Sequence, residues 1–152
     1  MAHFNNRFIS SHLMPKNYEI IEHTADIGIR VKAKSLKDLF KNTGLAIFEL
    51  SSRRQFTRYK KHSDIIIKQK ANTLEELFIN WLNELLSVSS ARGLIFHNIK
   101  IKELKDCMIE ALCTGSSMEN YRINIEIKAV TYHRLNIGED KEGWKAEVIL
   151  DV

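Results

Sequence analysis

The change in hydrophobic period at Arg92-Gly93 is the feature that most narrows what this chain can fold into. Before this point, two segments repeat apolar residues at helical spacing, and after it apolar and polar residues mainly alternate, as they do in strands. A helix or a sheet with one apolar side must bury that side against another element. The chain is therefore predicted to be an α+β protein.

Both predicted helices carry start signals. Ser35 is a suitable N-cap with Asp38 three residues later, which predicts a helix over about 36–50. Thr73 and Glu76 form a capping box, the reciprocal hydrogen-bonding pattern typical of a helix N-terminus. The apolar stripe of this second helix recurs every three or four residues and consists of Leu74, Leu77, Phe78, Trp81, Leu82 and Leu85.

The predicted strands have a period of two. From Ile27 to Ala33, apolar residues alternate with glycine and basic residues, and Ile65 with Ile67 marks a second strand. After Gly93, four strand-like runs follow, at about 94–103, 107–114, 121–132 and 144–151. Turn signals at Gly115-Ser116-Ser117 and from Gly138 to Gly143 separate the last three, which predicts an antiparallel meander. We expect a largely antiparallel sheet with both helices packed on one face.

Length and composition indicate one domain. A chain of 152 residues is long enough to bury a substantial core, and its only proline, Pro15, separates residues 1–16 from the patterned remainder. We expect a flexible N-terminal extension over 1–16 and a single domain over 17–152. No apolar run approaches the roughly 20 residues that cross a bilayer, and residues 1–16 lack the apolar core of a secretory signal. A cytoplasmic protein is expected.

The two cysteines, Cys107 and Cys113, are six positions apart in what is predicted to be one strand. An extended strand holds residues at this spacing too far apart for a disulfide. The sequence therefore predicts reduced, buried, structural cysteines, in agreement with a cytoplasmic location.

A basic run follows the first predicted helix. Five cationic residues interleaved with Phe56 and Tyr59 are typical of phosphate contact with base stacking, and the net charge of the chain is +4. The alternative is a solvated loop that joins a helix to a strand, and it is favoured because no nucleic-acid-binding motif accompanies the run. The cationic residues are Arg53, Arg54, Arg58, Lys60 and Lys61.

Two distant carboxylates suggest a cation site. Asp26, Asp151 and the α-carboxylate of Val152, the last residue of the sequence, supply the oxygen ligands that Ca²⁺, Mg²⁺ and Mn²⁺ prefer. The pattern does not by itself bring them together, and Asp26 alone also suits a turn before a strand. His23 and His133 are read as structural, because no zinc or catalytic motif surrounds either one.

Lys128 has two interpretations. It belongs to a polar row with Asn124 and Glu126, where it can pair with a carboxylate or reach a phosphate. The same row is also typical of a solvent-exposed sheet face, and the residue pattern alone favours this second interpretation. The sequence contains no Walker loop, dinucleotide fingerprint or Ser/His/Asp arrangement, so a self-sufficient nucleotide enzyme is not expected.

Several blocks in fixed order resemble the archease family over residues 17–152. The blocks are Tyr18-Glu19, Glu22-His23-Thr24-Ala25-Asp26, Trp81-Leu82-Asn83-Glu84-Leu85-Leu86, Arg92-Gly93-Leu94, Glu126 to His133, and Gly143 to Val152. The resemblance implies the α+β archease fold. It also implies a protein cofactor, not an enzyme, that activates the RtcB-type tRNA-splicing RNA ligase by promoting guanylylation of the ligase's catalytic histidine and multiple turnover.

The resemblance also implies roles for particular residues. Asp26, Asp151 and Val152 match metal-binding positions of the family, with Ca²⁺ foremost and Mg²⁺ or Mn²⁺ as alternatives. Lys128 matches a functionally required lysine, which makes its interpretation as a plain surface residue the minor one. The ligase is the implied partner, and tRNA is reached indirectly through it.

Two other functions remain open. A chaperone-like adaptor or RNA-binding module for RNA-modifying enzymes would use the basic run from Arg53 to Lys61 and need no metal. A metal-dependent hydrolase built on Asp26 and Asp151 is the least favoured, because the sequence identifies no base, nucleophile or substrate pocket. The sequence makes no prediction of oligomeric state.

Overall fold

A computed structural model describes residues 18–22, 26–55 and 61–152, which form two helices and nine strands. The predicted boundary at residue 17 and the extension before it lie outside these ranges. In chain order the elements are β1 Tyr18–Glu22, β2 Ile27–Ala33, α1 Leu36–Ser51, β3 Ser52–Arg54, β4 His62–Lys70, α2 Leu74–Arg92, β5 Leu94–Lys105, β6 Met108–Ser117, a short 3₁₀ helix Met118–Asn120, β7 Tyr121–Ile123, β8 Ala129–Asp140 and β9 Gly143–Asp151.

Local side-chain chemistry explains where both helices begin. The hydroxyl oxygens of Ser35 and Thr73 each accept the backbone N–H three residues later, at 3.1 Å in both cases, so the predicted N-caps are confirmed. The Glu76 carboxylate accepts the backbone N–H of Asn72 at 3.3 Å, one residue before the cap. Gly93 ends α2 in the left-handed conformation, with φ of 63°.

Within the described ranges, no helix combines the length and apolar character needed to cross a membrane.

The strands form three antiparallel sheets. Their strand orders are β1-β2-β9-β8, β4-β6-β5 and β3-β7. Helix α1 packs mainly on β5 and β2, whereas α2 packs mainly on β8 and β4. The Trp81 indole N–H donates to the Phe40 carbonyl at 3.0 Å, which joins the two helices inside the core. The predicted α+β class with largely antiparallel pairing is confirmed, and the strands are divided among three sheets instead of one.

The predicted strand over 121–132 is wrong. Strand β7 ends at Ile123, β8 begins at Ala129, and the residues between them have no regular structure. The chain must cross here from the β3-β7 sheet to the four-stranded sheet, and the Ser51 carbonyl accepts the N–H groups of Asn124 and Ile125 at 2.8 and 3.2 Å. These bonds satisfy backbone donors that a continuous ladder would otherwise have paired.

The turn predicted at Gly115-Ser116-Ser117 and the meander based on it are also wrong. These residues end β6, and the chain turns at the following 3₁₀ helix. A Cβ on Gly115 would lie 2.9 Å from the Ile95 carbonyl oxygen, so close approach of β5 accounts for this glycine. Strand β6 lies between β4 and β5, so neither of its edges is free to pair with β8.

Cys107 lies in a turn and not in the strand of Cys113. Asp106 and Cys107 have φ of 52° and 56° and connect β5 to β6, as a type I′ hairpin turn requires. Both cysteines are free, with Cys113 buried and Cys107 half-buried. Burial raises the pKa of the Cys113 thiol to about 12, which suppresses its reactive thiolate form.

Candidate functional site

Strand register brings Asp26 and Asp151 to the same end of the four-stranded sheet. In the antiparallel pair of β2 and β9, Ile27 lies opposite Leu150. Asp26 and Asp151 are the next residue outward on each side. Opposed residues of antiparallel strands have Cα atoms about 4.5–5.5 Å apart and side chains on the same face. The two predicted carboxylates therefore come from distant parts of the sequence to one place.

That place is the outer face of the sheet. Buried Ile29 and Val31 alternate along β2 with Arg30, whose parity is that of Asp26. The Arg30 guanidinium donates to Glu147 at 2.6 Å, and it also lies 3.4 Å from Glu19. The hydrogen bond and charge of Glu147 raise the pKa of Arg30. These acids are already paired, whereas neither Asp26 nor Asp151 has an ion-pair partner among the described residues.

Lys128 adjoins the same end. Its backbone N–H donates to the Asp151 carbonyl at 2.8 Å, and the next residue, Ala129, lies opposite Asp151 in the ladder between β8 and β9. Lys128 itself precedes β8, so its predicted place within a strand is wrong, although it is exposed as the polar row indicates. We call the end formed by Asp26, Lys128 and Asp151 the acidic tip. Val152 follows directly and is 39% exposed.

The donors at the acidic tip have the chemistry of a hard-cation site. Asp26 and Asp151 offer carboxylate oxygens on one face, which suit Ca²⁺, Mg²⁺ or Mn²⁺. In the part of the chain that the structure describes, no three His, Cys, Asp or Glu side chains group closely enough to hold an ion. Residues 23–25, including His23, fall between β1 and β2 in the sequence and lie outside the described ranges. The predicted ligand set of Asp26, Asp151 and Val152 stays a prediction.

Asn83 is a residue of this region that the residue patterns did not single out. Its amide nitrogen donates to the Val130 carbonyl at 3.0 Å, and its amide oxygen accepts the Val130 N–H at 2.8 Å. A side chain of α2 thereby replaces a neighbouring strand at the edge of β8, two residues after Lys128. The signal in the sequence is a polar residue beside the apolar stripe of α2, between Leu82 and Leu85.

A large bulge in β8 projects beside the tip. Thr131 pairs with Ile149 and Asn136 with Glu147, so β8 carries three more residues than β9 over this stretch. Within it, Tyr132 is 55% exposed, and Arg134 has a φ of 52°, a conformation that costs a non-glycine residue about 1–2 kcal/mol. His133, predicted to be structural, is exposed in the same bulge. Bulges of this kind are common beside functional sites, where they re-aim side chains.

Only the ends of the basic run are described. Arg53 and Arg54 lie in β3, where Arg53 is directly opposite Arg122 of β7. Residues 56–60, which include Arg58 and Lys60, lie outside the described ranges, so the predicted solvated loop is untested there. Arg53 and Arg54 themselves belong to a strand and not to a loop.

Known proteins resemble the chain over nearly all of its described length. The family model for the Archease protein family (MTH1598/TM1083) matches residues 18–152. Protein archease of Methanosarcina acetivorans is 31% identical over 143 residues, covering 90% of this chain and 97% of that protein. Protein archease of Pyrococcus furiosus is 32% identical over 143 residues, covering 90% and 99%. The solution structure of Methanobacterium thermoautotrophicum protein 1598 superposes with a TM-score of 0.66 and 28% identity, covering 91% of this chain and all of that one.

Proposed function

Because the chain belongs to the archease family, we propose that it is a protein activator of an RtcB-type tRNA-splicing RNA ligase and has no catalytic activity of its own. Its effect is to promote guanylylation of the ligase's catalytic histidine and so allow multiple turnover. tRNA is reached through the ligase. The observation that carries the proposal is the assembly of the acidic tip from three distant segments by strand register.

The acidic tip acts by electrostatic positioning. The end of the sheet enters the nucleotide site of the ligase, where Asp26 and Asp151 present two carboxylates from one face. Lys128, whose backbone N–H bonds to the Asp151 carbonyl, brings an ammonium group to the same end of the sheet, where it offsets negative charge on a triphosphate. Charges held in place before the reaction lower a barrier without the cost of reorganising at the moment of transfer.

A divalent cation belongs to this proposal. Asp26, Asp151 and the Val152 carboxylate hold it, with Ca²⁺ foremost and Mg²⁺ or Mn²⁺ as alternatives. When bound, the cation supplies positive charge to phosphate oxygens during nucleotidyl transfer. The side chains of Asp26 and Asp151 fix its place, and the backbone bond from Lys128 to Asp151 holds the end of β9 against the start of β8.

The β8 bulge supports docking to a protein partner. Tyrosine and arginine are the residue types that most often dominate binding energy at protein interfaces. Tyr132 is exposed, and Arg134 occupies a strained backbone conformation beside the acidic tip. A strained, exposed segment of this composition fits a surface that is completed by the ligase.

The free cysteines fit a reducing compartment, so we place the activity in the cytoplasm.

A chaperone-like adaptor or RNA-binding module is the alternative. Arg53 faces Arg122 directly across β3 and β7, and opposed like charges destabilise a strand pair. An anionic partner at this position would relieve the repulsion. This function needs neither the tip carboxylates nor a metal.

Guanylylation of the purified cognate ligase tests the proposal. Substoichiometric amounts of the protein should accelerate it, and Asp26→Asn or Asp151→Asn should reduce the stimulation roughly 100-fold, the effect of losing one positioned charge. Asp106→Asn is the matched control, because it removes a carboxylate from the β5–β6 turn and keeps a residue suited to positive φ. Lengthening the chain beyond Val152 replaces the α-carboxylate by a peptide bond and should also abolish stimulation.

The outcomes separate the candidate functions. Full stimulation by Asp26→Asn, Asp151→Asn and the lengthened chain would overturn the acidic-tip mechanism. RNA binding without stimulation would favour the adaptor. Turnover by this chain alone would favour the hydrolase.

A further inference from the structure

A basic cleft lies between the start of α1 and the edge strand β5. It has a volume of about 360 Å³ and is lined by three lysines, two other polar residues and two isoleucines, namely Lys37, Lys41, Lys100, Asp38, Asn98, Ile99 and Ile101. Lys37 and Lys41 come from the first two turns of α1, and Lys100 comes from β5. Three lysines and one aspartate therefore line the same space.

This arrangement does not serve folding. Lys37 and Lys41 are spaced i,i+4, a pairing of like charges that destabilises a helix. Lys37 also lies in the first turn, where the helix dipole is unfavourable to a cation. Among the described residues, none of the three lysines has an ion-pair partner, whereas Lys68 and Lys105 elsewhere each lie 3.1 Å from a glutamate. Such departures from local stability are expected where a surface binds a ligand.

The lining chemistry selects the ligand. No aromatic side chain lines the cleft, so it offers no platform for a nucleotide base. All of its cations are lysines, which meet phosphate as point charges, whereas bidentate recognition of carboxylates favours arginine. Lysines that make no contact with bases are typical of sequence-independent binding to a nucleic-acid backbone.

We propose that Lys37, Lys41 and Lys100 form a contact site for the phosphodiester backbone of RNA. The site is separate from the acidic tip. Asp26 precedes β2 and Lys34 follows it, and a strand of this length spans roughly 25 Å at 3.3 Å per residue. The tip can thus engage a protein while the cleft holds RNA. The choice of RNA over DNA rests on the proposed partnership with an RNA ligase. The inference goes beyond that proposal because this chain would then contact RNA directly.

Fluorescence anisotropy with a labelled single-stranded RNA tests the site in the full-length protein. If the protein neutralises three phosphates, the logarithm of the binding constant should fall linearly with the logarithm of the salt concentration. The expected slope is about −2 between about 50 and 200 mM salt. The triple variant K37A/K41A/K100A should bind RNA at least about 10-fold more weakly at the lower salt and lose most of that slope. The control K68A/K70A/K105A removes the same charge from other surfaces and should retain most of the binding.

Each outcome of these binding measurements either supports or overturns the proposed RNA contact site. Equal losses in both triple variants would show attraction by net charge alone and overturn the site, as would unchanged binding by K37A/K41A/K100A. Polyglutamate that competes as well as unlabelled RNA would point to an acidic protein surface and overturn the RNA assignment. Guanylylation of the ligase in the absence of RNA should be the same for K37A/K41A/K100A and the wild type, so failure of the cleft is distinguishable from failure of the proposed function.

Discussion

At the scale of single residues, His97 shows how surroundings change the chemistry of a titratable side chain. The His62 Nδ1 and His97 Nε2 atoms are 3.1 Å apart, with ring planes at 77°. A hydrogen bond at this distance needs at least one neutral ring. Burial lowers the pKa of His97 below its usual 6.5, and the positive charges of His62 and Arg54 lower it further.

A pH dependence of stability follows from His97. Below pH 6.5 the unfolded chain takes up a proton at this position that the folded chain resists. The contribution to stability is therefore fully present above pH 6.5 and is lost as pH falls towards the folded pKa. Urea denaturation from pH 5 to 8 should show wild type losing stability on the acid side relative to His97→Gln. A difference between the two proteins that is constant with pH would contradict this.

Gly115 is fixed by a neighbouring backbone and not by a turn. A methyl group there would meet the Ile95 carbonyl oxygen at 2.9 Å, and a carbonyl inside a ladder cannot rotate away. Gly115→Ala should therefore lower the free energy of unfolding by about 1–3 kcal/mol. Gly138→Ala is the control, because nothing lies within 4 Å of its Cβ position, and it should be neutral or slightly stabilising. Equal effects in chemical denaturation would refute the steric explanation.

At the scale of elements, the junction of α2 with β8 supports the acidic tip. The edge of β8 has no strand beyond it in the order β1-β2-β9-β8, and Asn83 covers both backbone polar groups of Val130 there. Val130 is 3% exposed, so water cannot readily replace either bond. The side chain of one helical residue thereby holds the second residue of β8, two positions after Lys128.

Removing the Asn83 amide should loosen this junction. Asn83→Ala leaves a buried N–H and C=O unpaired, and we expect a loss of about 1–3 kcal/mol in unfolding free energy. Hydrogen exchange at the Val130 amide should accelerate, and ligase stimulation should fall because Lys128 and Asp151 are no longer held together. Asn80→Ala is the control on the same helix, since the Asn80 side chain has no hydrogen-bond partner in the described part of the chain. Identical exchange rates in the two variants would refute the role of Asn83.

At the scale of the whole molecule, β2 separates two surfaces of opposite charge. The acidic tip adjoins its start, and the basic cleft adjoins the start of α1, just after its end. The length of β2 keeps these surfaces apart. One small domain can therefore present carboxylates to one partner and ammonium groups to another.

The sequence by itself determined both helices, most strands and the α+β class, because caps, glycine stops and apolar periods act over a few residues. Capping hydrogen bonds at Ser35 and Thr73 depend only on residues three positions away. The same patterns, together with the resemblance, identified Asp26, Lys128 and Asp151 as candidates.

Only the tertiary structure decided how the strands divide among sheets, because pairing joins residues far apart in sequence. The interruption between β7 and β8, the burial of Gly115 against β5 and the amide contact of Asn83 all depend on elements that no local pattern places side by side. The proximity of Asp26 to Asp151 has the same origin, since it comes from the register of β2 with β9. Residue type supplied the chemistry, and long-range hydrogen bonding supplied the positions.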